Sequence, residues 1–292
     1  MNRRTWIKGG VAMMALPSVS WAQSAFPERA MRLVVPFAPG GDGDVMGRIW
    51  AKYAVTLGGH TLFVDNKAGA GGVIGAAEVA RAKPDGYTLL MMSNTHTANE
   101  TLIPNKPFAL MRDFVAVASI NYSDLLLVAH PGTGINSVAD LLAKAKAQPG
   151  KINYASSGPG TPYHMAGELF KYMAKVDMVH VPYKGSSGAR TDVLGGQVDL
   201  MFDAVTTMAE HVKAGKVKAL ATTGRARSTV LPEVPTVSEA GVAGYEATIW
   251  LGLMAPKGTP KDIVDKLHAA VNQALRQPEV RQAWAKQGAV PL

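Results

Sequence analysis

Strand-like apolar runs alternate with helix-like runs through most of this 292-residue chain, and twice a strand feeds straight into a glycine-rich loop that opens a helix. The first is residues 31–37 into Pro39-Gly40-Gly41-Asp42-Gly43-Asp44. The second is residues 152–155 into Ser156-Ser157-Gly158-Pro159-Gly160-Thr161. Alternation of this kind predicts an α/β fold with parallel sheets covered by helices on both faces. The loops predict a ligand as well. Unpaired N–H groups and the positive end of the helix dipole bind anions without a charged side chain. Two such loops, far apart in the chain, can hold two ends of one anionic ligand.

The helical runs fall at 45–57, 74–82, 137–147, 164–173, 189–194, 261–275 and 279–286, with strands at 62–65, 87–92, 178–181 and 200–202 between them. Two passages break the rhythm. The apolar runs 115–120 and 125–129 lie back to back without a helix, and 217–223 leads into the long segment 230–243. Both read as crossings between two lobes, so that residues 247–255 and the last two helices return to complete the first. The expected organisation is lobe 1 over 26–121 and 225–292, and lobe 2 over 122–224. Two connections make a hinge, and ligands of open α/β sheets sit at the carboxyl ends of strands, where both glycine-rich loops fall.

The first 22 residues read as an address. Arg3-Arg4-Thr5-Trp6-Ile7-Lys8 is similar to a twin-arginine export signal, the apolar run 11–16 is too short to span a bilayer, and Ser20-Trp21-Ala22 ends in the small residues a signal peptidase reads. A cleaved signal over 1–22 implies a periplasmic product. No later run has the ~20 apolar residues of a membrane-spanning helix. Removing Arg3, Arg4 and Lys8 lowers the net charge from +8 to +5, with 27 basic and 22 acidic residues left. That mild field favours anionic ligands. The remaining Lys and Arg are scattered and lack interleaved aromatics, so no nucleic-acid partner is expected. The chain has no cysteine, which excludes thiolate nucleophiles and thiolate metal ligands.

Six stretches, in order, carry a resemblance: Phe37-Ala38-Pro39-Gly40-Gly41, Pro84-Asp85-Gly86-Tyr87-Thr88-Leu89-Leu90, residues 149–158, His180-Val181-Pro182-Tyr183-Lys184-Gly185-Ser186, Leu194-Gly195-Gly196-Gln197-Val198-Asp199 and Leu231-Pro232-Glu233-Val234-Pro235-Thr236-Val237. From about Phe26 onward the chain resembles the substrate-binding receptors of tripartite tricarboxylate transporters, also called the Bug family. The resemblance implies a two-lobed periplasmic-binding-protein fold of type II-like form. It implies a monomeric receptor that closes on a small carboxylate and presents it to an integral membrane permease, with no cofactor. Carried over by position, the contacts are Phe37, Gly40, Gly41, Asp42 and Gly43 from lobe 1, and Ser157, Gly158, Gly160, Thr161, Gly185 and Ser186 from lobe 2. Asp203, at the end of the strand 200–202, is a candidate for a ligand hydroxyl or amine, or for capping the next helix. Asn94, Thr95 and His96 follow a strand and either line the cleft or cap a loop. Thr161 is expected both to cap the helix after it and to touch the ligand carboxylate.

Two features depart from the family pattern. Members ordinarily continue for about two more elements past the equivalent of Leu292. They also have Gly then Thr where this chain has Asp42 and Gly43. A carboxylate in an anion-binding loop either turns away to cap its helix or accepts a hydrogen bond from a donor on the ligand; the second is favoured because Asp44 supplies a nearby cap. Other chemistry is sparse. Gly69-Ala70-Gly71-Gly72-Val73-Ile74-Gly75 lacks G-x-G-x-x-G spacing, no serine sits in G-x-S-x-G, and the histidines have no metal-ligand spacing. No catalytic residue or metal site is expected. The competing reading is an exported hydrolase or oxidoreductase that uses the same cleft on a small acid.

Overall fold

The computed structural model describes residues 26–53 and 59–292. The leader expected over 1–22 and the end of the helix expected over 45–57 lie outside the described residues. One strand organises the rest. β4 (Phe114–Ala129) is 16 residues long, roughly 50 Å at ordinary strand rise, and belongs to two sheets. Its residues 114–124 pair antiparallel with β9 (Thr248–Pro256), and 121–123 also with β10 (Ala289–Pro291). Its residues 125–129 pair antiparallel with β7 (Leu200–Ala204), and 126–129 also with β8 (Lys218–Thr222). The first sheet continues past β9 through β3 (Thr88–Ser93), β1 (Met31–Val35) and β2 (Leu62–Asn66). The second continues past β7 through β5 (Asn153–Ser156) and β6 (Val179–Pro182).

Strands joined through helices are parallel, as the alternating pattern predicts: β1 with β2 and β3, and β5 with β6 and β7. The antiparallel β4, β8, β9 and β10 make both sheets mixed, which corrects the expectation of parallel sheets. Asn121-Tyr122-Ser123-Asp124 has the composition of a turn, yet it stays extended because β9 and β10 bond it from both sides. Register shifts against β9 and, at Leu127/Val128, against β8 bend the strand from one sheet into the next.

Each sheet buries both faces, because successive side chains point opposite ways. In β1, Leu33 and Val35 pack with Trp50 of α1 (Asp42–Tyr53), Val271 of α9 (Lys261–Leu275) and Trp284 of α10 (Pro278–Ala285). Val34 faces the other side, against α2 (Val73–Ala80). In the second sheet Leu125 and Leu127 meet Phe170 of α6 (Pro162–Ala174). Leu126 and Val128 meet Val193 of α7 (Ser186–Leu194) and Met208 of α8 (Val205–Lys213). Each such side chain contributes about 1.5–3 kcal/mol by leaving water.

The core contacts seat residues 231–245 on the second sheet, and β9, from Thr248, pairs with the first. Leu231 and Val234 join one layer of the second sheet; Val237, Val242 and Tyr245 join the other. The Tyr245 hydroxyl donates to Ala166 O at 2.8 Å, and Val237 N–H to Thr222 O at 2.8 Å. This segment forms no regular element after β8, so its apolar residues carry no period that a sequence reading can use. Thr223 holds the two crossings together: its N–H donates to Leu125 O at 2.9 Å, its hydroxyl accepts from Leu125 N–H at 2.8 Å, and its carbonyl accepts from Ala247 N–H at 2.9 Å.

Candidate ligand-binding site

Five strands end where the lobes meet, and a helix starts from each: β1 into α1, β3 into α3 (Asn94–Leu102), β5 into α6, β6 into α7 and β7 into α8. A cavity of about 20 Å³ lies there. Phe37, Gly41, Asp42 and Gly43 line it from lobe 1, with Ser93 and Thr95 from the β3–α3 junction. Ser157, Thr161, Tyr163 and Ser186 line it from lobe 2, and Ile249 and Leu251 of β9 form its floor at the hinge. That volume suits one water molecule, whereas small-molecule pockets run to roughly 300 Å³ or more. The cavity in this closed arrangement is therefore too small for a small-molecule ligand. A groove of about 240 Å³ adjoins the cavity through Phe37 and Ser157, between residues 69–72 and 182–184.

The lobes touch closely around the cavity. Arg190 Nη1 donates to Gly40 O at 3.2 Å, and the Thr206 hydroxyl donates to Asp42 Oδ1 at 2.6 Å. A Cβ placed on Gly41 would lie 2.9 Å from Ser186 Oγ.

In the first loop Gly40 takes φ +76°, a conformation only glycine adopts cheaply. Its N–H donates to Asp44 Oδ2 at 2.9 Å, and Gly41 N–H turns back to Ala38 O at 3.4 Å. The amides of Gly40 and Gly41, expected to face an anion, thus serve the loop itself. Those of Asp42 and Gly43, at the first turn of α1, are the ones helix geometry leaves to a ligand. Burial raises the Asp44 pKa, but hydrogen bonds from Arg48, Gly40 and Asn66 outweigh it and hold the carboxyl below its ordinary value.

In the second loop Gly158 has φ +121° and Gly160 φ +74°, and Pro162 opens α6 at the position where a missing N–H costs nothing. Thr161 occupies the N-cap position, but its side chain makes no capping bond. Its hydroxyl donates instead to Gly158 O at 2.6 Å, which bends the loop and replaces the expected cap. Ser157 Oγ and Thr95 Oγ1 are buried, line the cavity and have no protein partner. They are donors available to a ligand.

Beneath the loops lies a buried charge cluster. Arg190 Nε donates to Asp203 Oδ2 at 2.6 Å, and Asp203 Oδ1 accepts from Ala204 N–H at 2.9 Å. Asp203 is fully buried; both its oxygens are engaged, and it does not line the cavity. It positions Arg190 and the start of α8, which differs from its expected ligand contact. Burial pushes the Asp42 carboxyl up to about 6, against the opposing hydrogen bond from Thr206; Asp203 raises it further and Arg190 lowers it. Arg190 was not among the expected site residues. Its sequence signal is a charged residue on the buried face of α7, between Ala189 and Val193.

The remaining candidates stand behind the cavity wall. Asn94 Nδ2 donates to Thr248 O at 3.0 Å, tying α3 to the hinge strand. His96 Nδ1 accepts from Ser93 N–H at 3.1 Å in a capping box; its ring meets Phe37 edge-on at 6.0 Å, and burial pushes its pKa down to about 4. Gly160 N–H donates to His164 Nδ1 at 3.2 Å, and Gly158 lines the adjoining groove. Gly185 permits the approach of Ala38.

One pair resembles a hydrolytic dyad: Ser156 Oγ lies 2.6 Å from His180 Nε2. Ser156 is fully buried, and its Oγ accepts from Gly158 N–H at 3.1 Å. Burial, then the neighbouring His164, pushes His180 down to about 4, a poor base at neutral pH. The pair braces the loop. Among the described residues no three His, Cys, Asp or Glu are placed to hold a metal ion, and no helix is long and apolar enough to cross a membrane.

The sequence profile of the family described as tripartite tricarboxylate transporter family receptor matches residues 47–292. The protein BugT of Bordetella pertussis is 38% identical over 269 residues, 91% of this chain and 82% of its own. A Rhodopseudomonas palustris protein, Rpa4515, solved with adipate, superposes with a TM-score of 0.88 at 34% identity, covering 91% of this chain and 89% of that one. MatC of the same organism, solved with bound malate, gives 0.85 at 35%, covering 91% and 90%.

Proposed function

Because this chain belongs to the receptor family of the tripartite tricarboxylate transporters, a family of periplasmic substrate-binding proteins, we propose that it captures one small carboxylate between its lobes and hands it to a membrane permease. The supporting observation is the cavity itself. Helix-start amides and unpartnered hydroxyls from both lobes surround it, and no Lys, Arg or His lines it. Such a site holds an anion by oriented dipoles and releases it when the lobes part. The malate and adipate held by two structural neighbours have the matching chemistry.

In this reading residues 1–22 direct twin-arginine export and are removed, and a single chain acts in the periplasm without cofactor or catalysis. The contacts are Phe37, Asp42, Gly43, Thr95, Ser157, Thr161 and Ser186, with Tyr163 added by the fold. Lobe 1 comprises residues 26–124 and 248–292, and lobe 2 residues 125–247. Dialysis of the purified protein against a mixture of C4 to C8 dicarboxylates, tricarboxylates, aromatic acids and acidic amino acids, followed by mass spectrometry, tests it. One acid retained unchanged supports the receptor; conversion of the retained acid identifies an enzyme instead.

A further inference from the structure

The buried charges at the cavity do not balance. Asp42 is 2% exposed, Asp203 0% and Arg190 8%. With all three ionised, the cluster carries one net negative charge inside the protein, and no side chain that lines the cavity is cationic. Asp203 cannot turn to a ligand, since Arg190 and the Ala204 N–H occupy it. Asp42 can. Its Oδ1 accepts from the Thr206 hydroxyl of the opposite lobe, no bond among the described residues engages its Oδ2, and the residue lines the cavity. The same cavity therefore presents two unlike kinds of group: donors at Ser157 Oγ, Thr95 Oγ1 and the first amides of α1, and a buried carboxylate at Asp42.

A ligand that carries only carboxylates satisfies the donors and is repelled by the Asp42 carboxylate. One that also carries an ammonium group satisfies both and sets a positive charge against the Asp42 carboxylate. We propose that the ligand of this site is an amino carboxylate, held by its ammonium group on Asp42 and by its carboxylate on the loop donors. This rests on the carboxylate-receptor reading and narrows it to one chemical class.

A simple diacid could also be accommodated if Asp42 took up a proton, and the buried position of Asp42 makes that the competing outcome. The groups facing Asp42 are Arg190 of α7, Asp203 of β7, Thr206 of α8 and the Tyr163 phenol of α6. The two outcomes differ in pH dependence. An ammonium partner needs ionised Asp42, so its affinity is level above pH 6 and falls below it. A proton-sharing diacid binds more tightly as pH falls from 7.5 to 5.5.

The test is calorimetric titration of matched pairs: succinate with aspartate, glutarate with glutamate, and adipate with 2-aminoadipate. Each is measured at pH 7.5 and 5.5, with wild type and with Asp42→Asn, which can still accept from Thr206. In the tightest pair the amino member is expected to bind at least tenfold better to wild type at pH 7.5, and Asp42→Asn to erase that preference. A wild-type preference for the diacid, or equal binding of both members, overturns the proposal. So does an Asp42→Asn variant that improves both members by the same factor. The wild-type comparison and its pH series stand even if the variant does not fold. Tight binding of diacids alone overturns this inference and leaves the receptor reading intact. Failure of all six acids and of the wider carboxylate mixture overturns both.

Discussion

Gly185 of lobe 2 and Ala38 of lobe 1 approach so closely that a Cβ on Gly185 would lie 2.5 Å from the Cβ of Ala38. The contact exists only while the lobes are together. The backbone at Gly185 is extended, with φ 171°, so the restriction is space across the cleft and not chain conformation. Gly185→Val should therefore leave the unfolding free energy of each lobe little changed and penalise closure by about 1–3 kcal/mol, weakening ligand affinity by roughly tenfold or more. Urea unfolding and ligand titration of the same variant check this. Unchanged affinity would mean that the ligand binds without the lobes meeting here.

Thr161→Val keeps the side-chain volume and removes the hydroxyl that donates to Gly158 O. The loss of that buried hydrogen bond should cost about 1 kcal/mol of stability, with a further loss in ligand affinity as the loop relaxes. Denaturant unfolding and titration should both register it. An affinity change without a stability change would instead place the hydroxyl on the ligand alone.

Arg190 balances the fully buried Asp203. Arg190→Met leaves a buried carboxylate without its partner and should cost about 3–5 kcal/mol. Adding Asp203→Asn to it should recover a large part of that loss, a non-additivity read from the double-mutant cycle. Additive losses would show that the two side chains do not compensate each other.

Histidine titration sets the acid limit of the fold. His96 and His180 are pushed down to about 4, and His164 is also lowered, chiefly by burial in each case. Unfolding frees them to take protons near pH 6.5. Their contribution is therefore whole above that pH and is lost as pH falls through the interval to about 4. Asp42 and Asp124, both raised to about 6 chiefly by burial, act the other way across nearly the same interval. The carboxyls of Asp44, Glu168 and Asp113, all lowered, act with the histidines as pH falls. Stability should rise from pH 4.5 to 6.5, as measured by urea unfolding at several pH values. A flat or falling curve would contradict the burial of neutral His96 and His180.

Local chemistry was readable wherever one residue type had one reason to be there. Gly40, Gly158 and Gly160 were legible because a strand that turns sharply into a helix needs left-handed backbone. The helix starting at Lys261 was legible from its period alone. The continuity of β4 was not, since Asn121, Ser123 and Asp124 look like a turn until two neighbouring strands bond them. Nor were Tyr163, Ile249 and Leu251, which reach the cavity only after α6 and the hinge strand have packed. The amides of Gly40 and Gly41 were assigned to a ligand because nothing in sequence shows Asp44 folding back onto Gly40. Asp42 stood out in sequence as a carboxylate in an anion-binding loop, but its partner Thr206, 164 positions away, is visible only across the closed cleft.

The central claim is that one carboxylate lies between the two lobes, against the first turn of α1 and the Ser157 loop. The direct measurement is two-dimensional amide NMR of ¹⁵N-labelled protein, titrated with the acid that dialysis retains. The largest shifts should fall on the amides of Asp42, Gly43, Ser157 and Ser186, with those of Arg225 and Thr229, which do not line the cavity, unmoved. Largest shifts at Arg225 and Thr229, or still loops at saturating ligand, would contradict the claim.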